Sequence, residues 1–541
     1  MTIRPEQRRP RVLVTDKIAR EGLALLAPAF QVDERVGIAP AELVAIIGDY
    51  DALVVRSETR VTAEVLGAAE RLRVVARAGV GVDNIDVDAA TARGIIVVNS
   101  PAGNVAAAAE HTVALLLGLA RHVPAASASL KAGKWERSRF VGVELRGKTI
   151  GIIGLGKVGL GVARRALGLE MRVVATDPYA SPDIAAQIGV ELTTLDAVLE
   201  RADFLTIHTP LVASTKGIIG AAELAQMKPG ARVLNVARGG LIDEASLLAA
   251  LESGHIAGAA LDVFPAEPPT PDSVTAQLIA HPKVIATPHL GASTEEAQVT
   301  VAIDVCEQVS EILAGGMPRA AVNAPMILPE TLATLRPFVS LVEKLGRLYT
   351  QLHPGHIRHF DLTCIGDIAD LDMRPLRAAL IKGLLESVSE ARVNLVNAAL
   401  VARQWGLDIT EHRSTTVAGP YVNMIALRAT GDPDEYTLAG SISWGTERIV
   451  RVDQYTTDFV PRGDILFCRN HDQPGMIGKV GTILGNANVN VAHMDVGPLI
   501  QGSGTRGEAL MVLSLDNPVP AEALEAIRTT EGIFGVTTVR L

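Results

Sequence analysis

Short β-branched apolar runs alternate with longer stretches of helical spacing through roughly the first hundred residues. "RVLVTD", "FQVDERV", "ALVVRS" and "RVVARAG" have the length and composition of strands, and "IAREGLALLA", "AELVAIIGDY" and "TAEVLGAAERL" read as the helices between them. This alternation predicts βαβ units around a parallel sheet. "AAAAEHTVALLLGLARHV" reads as a long helix rich in alanine and leucine that bridges two lobes. A second alternating series opens at "KTIGIIGLGKVG" and runs to about residue 290. The helical stretch "TEEAQVTVAIDVCEQVSEILAG" is expected to carry the chain back to the first lobe, and "GGMPRAAVNAP" reads as a linker.

The pattern changes after this linker. "LRPFVSLVEKLGRLYTQL" and "LRAALIKGLLESV" read as helices, and "EYTLAGSISWG" and "ERIVRVDQY" as strands, giving an α+β module without a chemical motif. The last eighty or so residues resolve as strand "DILFCRN", helix "GMIGKVGTILGNA", strands "VNVAHMDV" and "EALMVLSLD", helix "AEALEAIRT" and strand "GVTTVRL". That βαββαβ order is the ferredoxin-like arrangement. The expected organisation is an α/β chain of two doubly wound parallel-sheet lobes, then an α+β domain and a ferredoxin-like module. The expected boundaries are 1–104 for the first lobe (completed by 295–318), 105–294 for the second, then 319–460 and 461–541.

Composition narrows the class. A chain of 541 residues is long enough for several domains, and with 48% hydrophobic and only 3% aromatic residues its cores must be aliphatic. The net charge of −10 argues against a nucleic-acid surface, although local arginines can still collect small anions. Cys306, Cys364 and Cys468 have neither metal-ligand spacing nor a disulfide pattern, which fits a reducing compartment. The N-terminal stretch shows no signal-peptide pattern, and no apolar run reaches the ~18 residues of a membrane span. A cytoplasmic protein with neither nucleic-acid nor membrane partners is expected.

The strongest chemical signal is "TIGIIGLGKVGLGVA". Gly154, Gly156 and Gly159 follow an apolar strand and open a helix. The first allows a tight turn, the second lets backbone approach a pyrophosphate, and the third lets helix and strand pack closely. The helix N-terminus offers N–H groups and positive potential to phosphate oxygens. Asp177 ends the next strand, "MRVVATD", about 20 residues on, where a carboxylate accepts from both ribose hydroxyls and repels a 2′-phosphate. The reading is NAD rather than NADP.

Three polar residues follow apolar strands of the same lobe: Arg238 in "LNVARGGLIDE", Glu267 in "ALDVFPAEPP" and His289 in "ATPHLGAST". Ligands of open α/β sheets bind outside the carboxyl ends of the strands. Oxidising an alcohol requires loss of a hydride from carbon and a proton from oxygen. An imidazole serves as the base, a neighbouring carboxylate orients it, and an arginine fixes a substrate carboxylate. "ARAGVGVDN" holds Gly79 and Gly81 without a third glycine, and suits an anion better than a dinucleotide. Arg56 and Arg77 also end strands, and guanidinium groups suit phosphate.

The motifs "GLGKVG", "NVARGG", "ALDVFPAEPP" and "PHLGAST" resemble those of the D-isomer-specific 2-hydroxyacid dehydrogenases over roughly residues 10–315. "RAGVGVDNID", "NSPAGN", "GKWERSRF" and the C-terminal module are similar to the long form of this family that acts on 3-phospho-D-glycerate, with an intervening domain and an ACT domain. The resemblance implies a Rossmann-like nucleotide lobe and a flavodoxin-like substrate lobe. It implies that Arg238 binds the substrate carboxylate, that His289 is the acid/base and that Glu267 supports it. It places NAD against Gly154, Gly156, Lys157, Val158, Gly159, Asp177, Thr209, Val236, Ala237, Arg238, Asp262 and the loop His289, Leu290, Gly291, Ala292. To Arg56, Arg77 and Gly81, read from their places at strand ends as substrate contacts, the resemblance adds Asn104, and adds Arg137 from a neighbouring subunit of a homodimer or homotetramer. Val80 stands where some relatives carry threonine, so no side-chain contact is assigned to it. Asp472 and Asn490 are the corresponding positions for an amino-acid effector such as L-serine. A hydroxypyruvate or glyoxylate reductase, and a non-catalytic NAD-sensing regulator, stay open as alternatives.

Overall fold

The structure is a computed structural model that describes residues 8–316, 318–324, 329–353, 359–386, 393–416, 420–430, 435–499 and 507–541. Four sheets follow one another along the chain. The first contains β1 (Arg11–Val14), β2 (Gln31–Glu34), β3 (Ala52–Val55), β4 (Val74–Arg77) and β5 (Ile96–Asn99), all parallel, in the order β2-β1-β3-β4-β5. β1, β3, β4 and β5 are apolar at nearly every position because helices cover both faces, whereas the edge strand β2 is largely polar. The returning helix Glu295–Leu313 supplies one cover: Val301, Ala302, Val305, Val309 and Ile312 pack with Val12, Val14, Val54 and Val98. Gly22 is where it comes closest, since a Cβ there would sit 2.7 Å from the backbone of Ala302.

The second sheet is also parallel. It comprises β6 (Thr149–Ile153), β7 (Arg172–Thr176), β8 (Glu191–Leu192), β9 (Phe204–Ile207), β10 (Ala231–Asn235), β11 (Ile256–Leu261) and β12 (Val284–Ala286). The order β12-β11-β10-β9-β6-β7-β8 reverses direction at β6, so a crevice opens at the carboxyl ends of β6 and β9. The helix Val105–Arg121 packs into this lobe's core through Ala109, Leu115, Leu116 and Leu119.

The segment expected as a linker is held in place over its described part. Val322 N–H donates to Val97 O at 2.7 Å, and Asn323 accepts from Val97 N–H and donates to Ile95 O. Residues 319–324, assigned from sequence to the intervening domain, therefore line the edge of the first sheet.

The third sheet is mixed. It is built from β13 (His359–Ile365), β14 (Asp408–Ser414), β15 (Met424–Thr430), β16 (Tyr436–Ser443), β17 (Thr446–Val452) and β18 (Tyr455–Phe459), with only β13 and β14 parallel. The stretch "ERIVRVDQY", read above as one strand, is a hairpin: Asp453 adopts φ 54° and turns β17 into β18. The last sheet is antiparallel, in the order β20-β21-β19-β22, from β19 (Asp464–His471), β20 (Val491–Pro498), β21 (Glu508–Leu515) and β22 (Ile533–Arg540). Alternation divides its side chains. Leu466, Cys468, Met511 and Leu513 pack with Met476 and Val480 of its own helix Met476–Asn486, while Ile465, Phe467, Leu510 and Val512 join the core of the third sheet. Among the described residues no single helix is long and apolar enough to cross a membrane.

The helices Pro329–Leu352 and Arg374–Leu385 cross at two glycines. A Cβ on Gly346 would sit 2.9 Å from Leu380 O, and one on Gly383 would overlap Glu343 O. Gly383→Ala should force the pair apart and destabilise the chain by ~1–3 kcal/mol. Urea unfolding followed by circular dichroism checks this, with a lower midpoint as the expected result.

Candidate active site

The turn after β6 has the conformation its glycines allow. Gly154 has φ +91°, and a Cβ there would lie 2.6 Å from His208 O, at the end of β9. A Cβ on Gly159 would overlap Gly154 O, whereas one on Gly156 would meet nothing within 4 Å. Backbone is thus packed closely at the first and third glycines and open at the second, where the helix Lys157–Gly168 begins with exposed Lys157 and half-buried Val158. Asp177 closes this turn from the neighbouring strand: its Oδ2 accepts from Leu155 N–H at 2.7 Å, and its Oδ1 from Tyr179 N–H at 2.8 Å. Thr209 Oγ1 is buried beside Gly154 without a hydrogen-bond partner among the described residues. An open glycine, a helix N-terminus, a fixed carboxylate and an orphaned hydroxyl together form a cradle suited to a dinucleotide. The neighbouring His208 is kept neutral, because burial pushes its pKa down to about 4.

The reactive groups stand beyond the carboxyl ends of β10, β11 and β12. His289 Nδ1 and Glu267 Oε2 lie 2.7 Å apart. Both side chains are partly open, with relative exposures of 43% and 36%. Burial by itself would raise the Glu267 carboxyl, but hydrogen bonds from His289 and from Phe264 N–H (2.9 Å) outweigh it and hold the group below its ordinary range. His289 adopts φ 54°, a left-handed backbone that is costly for a residue with a Cβ. Its N–H donates to Asp262 O at 2.9 Å and to Thr287 O at 3.0 Å, which pins the turn.

Asp262 is fully buried and anchors the loop that follows. Its carboxylate accepts from Leu290 N–H at 2.8 Å and from Gly291 N–H at 2.9 Å. Burial would raise this carboxyl too, but hydrogen bonds led by those from His111 and Thr287 bring it below its ordinary value. Gly291 fits among Asp262, Val236 and Ala108, so the cofactor residues expected on three separate segments are contiguous; Ala292 is the next residue of the same turn.

Arg238 leaves the β10 turn towards the first lobe. Buried Asn235 shapes this turn, donating to Arg238 O and accepting from Ala237 N–H. The guanidinium donates to Ala237 O at 2.7 Å, pairs with Asp83 at 3.2 Å and lies against Gly81, where any side chain would collide with it. Arg77 belongs to the same cluster. Burial, reinforced by the charge of Arg238, lowers its pKa to about 10, and Arg56 and Asp16 are within its field. Among the described residues, Arg77 Nε and the nearby Ser100 Oγ are buried without partners. Asp16 organises the loop after β3, accepting from the N–H groups of Arg56, Glu58 and Thr59.

Among the described residues, four expected residues make no hydrogen bond or ion pair with these arginines. Asn104 caps the start of the helix Val105–Arg121 without a side-chain cap bond. Arg137 lies on the single turn Arg137–Phe140, and among the described residues its side chain makes no hydrogen bond or ion pair. Asp472 and Asn490 belong to the last sheet's module, where Asn490 donates to Asp516 at 2.6 Å. Asp16, Asp83, Asn235 and His111 were not anticipated. Single acids, amides and imidazoles that act across long sequence separations leave no local pattern.

Family comparisons agree with this geometry. Residues 113–291 match the D-isomer specific 2-hydroxyacid dehydrogenase NAD binding domain, residues 334–453 the D-3-phosphoglycerate dehydrogenase intervening domain, and residues 465–532 the ACT domain. The D-3-phosphoglycerate dehydrogenase of Synechocystis sp. is 45% identical over 533 residues, covering 98% of this chain and 95% of the relative. The chain belongs to the D-3-phosphoglycerate dehydrogenase family. The Bacillus subtilis member is 41% identical, covering 98% of this chain and 99% of its own. Among solved structures, TT0316 from Thermus thermophilus covers 58% of this chain and 99% of its own, with 35% identity and TM-score 0.53. A D-lactate dehydrogenase from Aquifex aeolicus, solved with NAD and lactic acid, covers 58% of this chain and 99% of its own, with 26% identity and TM-score 0.52. The nucleotide lobe is thus the NAD-binding domain of an NAD-dependent dehydrogenase.

The Gly159 contact yields a direct test. Gly159→Ala should separate helix from turn and weaken NADH binding by roughly tenfold or more, since ~1–3 kcal/mol of packing strain falls on the binding conformation. Titration of NADH fluorescence measures it.

Proposed function

We propose that the chain oxidises the C2 hydroxyl of 3-phospho-D-glycerate to 3-phosphooxypyruvate, the first committed step of L-serine biosynthesis. The observation that carries this reading is the convergence of Arg238, Arg77 and Arg56, with Arg238 leaving the end of β10 and the His289–Glu267 pair beyond the ends of the next two strands of the same sheet. One guanidinium accounts for a carboxylate, and a phosphorylated acid gives the others a partner. In this reading Arg238 and the Gly81 backbone hold the carboxylate. Arg56, Arg77 and Asn104 hold the phosphate end.

Bound NAD supplies the acceptor for the C2 hydride. His289 takes the hydroxyl proton, and Glu267 fixes the imidazole with Nδ1 towards itself, leaving Nε2 for the substrate. The cradle residues from Gly154 to Gly159, with Asp177 and Thr209, would hold the dinucleotide, and Asp177 favours a ribose without a 2′-phosphate. Reduction of glyoxylate or hydroxypyruvate would not require the arginine cluster. A non-catalytic sensor would not require the paired imidazole and carboxylate.

Further proposals concern assembly and control. Arg137 is flanked by exposed Trp135 and Val141, an apolar surface suited to contact with another subunit, so we assign it to a neighbour's site in a homodimer or homotetramer. We assign the ACT module to an amino-acid effector, L-serine, held near Asp472 and Asn490, and the enzyme to the cytoplasm.

The test is NADH formation from 3-phospho-D-glycerate, compared with D-lactate and, in reverse, with glyoxylate. Strong preference for the phosphorylated acid supports the reading, and preference for either small acid refutes it. His289→Ala should lower turnover by ~10²–10⁴-fold while NADH binding stays close to wild type. Turnover within tenfold of wild type would remove His289 from the role of base.

A further inference from the structure

We infer that His111 is a positioning residue for the loop that carries His289, acting through Asp262. This rests on the reading of His289 as the acid/base. His111 lies on the helix Val105–Arg121, and its Nε2 is 3.1 Å from Asp262 Oδ1 and 3.2 Å from Thr287 Oγ1. Thr287 Oγ1 is itself 2.5 Å from the same carboxylate oxygen, which also accepts from Leu290 N–H at 2.8 Å.

The direction of these bonds follows from counting hydrogens. An ionised carboxylate only accepts, so the single hydroxyl hydrogen of Thr287 is committed to Asp262. Thr287 can then only accept from the ring. His111 Nε2 must carry the hydrogen and share it between Asp262 and Thr287. The ring is thus held in one tautomer, with Nε2–H facing the network.

Each member of this network sets the place of His289. Thr287 lies two residues before it, and Asp262 accepts from the two N–H groups after it as well as from its own through the carbonyl. His289 therefore sits in its left-handed turn between two attachments to one buried aspartate. His111 is the donor that reaches this aspartate from outside the two strand ends, across 151 residues of sequence. The same helix begins at Asn104, one of the residues proposed to hold substrate, so one rigid element links the cleft wall to the catalytic turn. Without the His111 donor, Asp262 keeps its loop bonds but loses its fixed orientation, and His289 loses registry with Glu267.

The variants His111→Ala, His111→Gln and His111→Asn test this. Gln presents an N–H near the position of Nε2, whereas Asn is too short to reach it. In ligand-free protein, His111→Ala should speed hydrogen exchange of the 286–294 segment by about tenfold, the scale of one lost hydrogen bond, with little change elsewhere. In turnover of 3-phospho-D-glycerate, kcat should fall by about tenfold with the substrate KM within about twofold. His111→Gln should return both readouts to within about threefold of wild type, and His111→Asn should behave as alanine.

Wild-type exchange and kcat in a folded His111→Ala protein would overturn the inference. Equal defects in Gln and Asn would also overturn it, because packing rather than donation would then be the cause. That comparison decides the matter even if the alanine variant does not fold. Should wild-type protein leave 3-phospho-D-glycerate unchanged, the substrate reading falls, while the exchange measurement still decides the role of His111.

Discussion

The site depends on one short contact, the 2.7 Å approach of His289 Nδ1 to Glu267 Oε2. Both groups must be open enough to meet a substrate, yet an exposed side-chain pair holds its geometry poorly. The fold resolves this conflict through the backbone. β11 and β12 are adjacent parallel strands, so the loops leaving their carboxyl ends emerge side by side. Phe264 N–H orients the carboxylate from below, and buried Asp262 fixes the turn that presents the imidazole. The reactive pair is exposed, whereas Phe264 and Asp262, which aim it, are buried.

The same division of labour appears across the cleft. The guanidinium groups of Arg77 and Arg238 come from different sheets and repel each other, and burial lowers the Arg77 pKa to about 10. Asp83 and Asp16 offset part of that cost, and an anionic substrate would offset more. Two like charges held together, with Arg77 Nε lacking a partner among the described residues, form an arrangement that an anion completes. This is why the two lobes bear on function only together: one carries the hydride chemistry and part of the anion site, the other the remaining cations.

Much of this arrangement was legible in the sequence where chemistry coincides with a strand end. The glycine turn, Arg238, Glu267 and His289 each follow a short apolar run, and a parallel sheet sends all such ends to one edge. The last module was legible because β19 and β21 carry continuous apolar runs, buried on both faces, that mark them as strands. The third sheet was legible only in part, through β16 and β17. β14 has one buried residue, Ile409, among polar neighbours, so "DITEHRS" carries no apolar run to mark it. The turn between β17 and β18 escaped because Asp453, with no glycine or proline beside it, takes the positive φ. The groups that aim the catalytic pair escaped for a different reason. His111 and Asp262 meet across the fold, and their pairing is a property of tertiary packing alone.

The central claim, that the imidazole and carboxylate work as one unit, is tested most directly by the pH dependence of kcat/KM for oxidation in wild type and Glu267→Gln. The Glu267 carboxyl lies below its ordinary range in the folded protein, so it is ionised at neutral pH. Its contribution is present above the ordinary carboxylate range and is lost as pH falls through the lowered value. With this charge removed, proton uptake by the unit becomes less favourable, so the acidic limb should move to lower pH and the plateau should fall. An acidic limb at the wild-type position, with an undiminished plateau, would contradict the account.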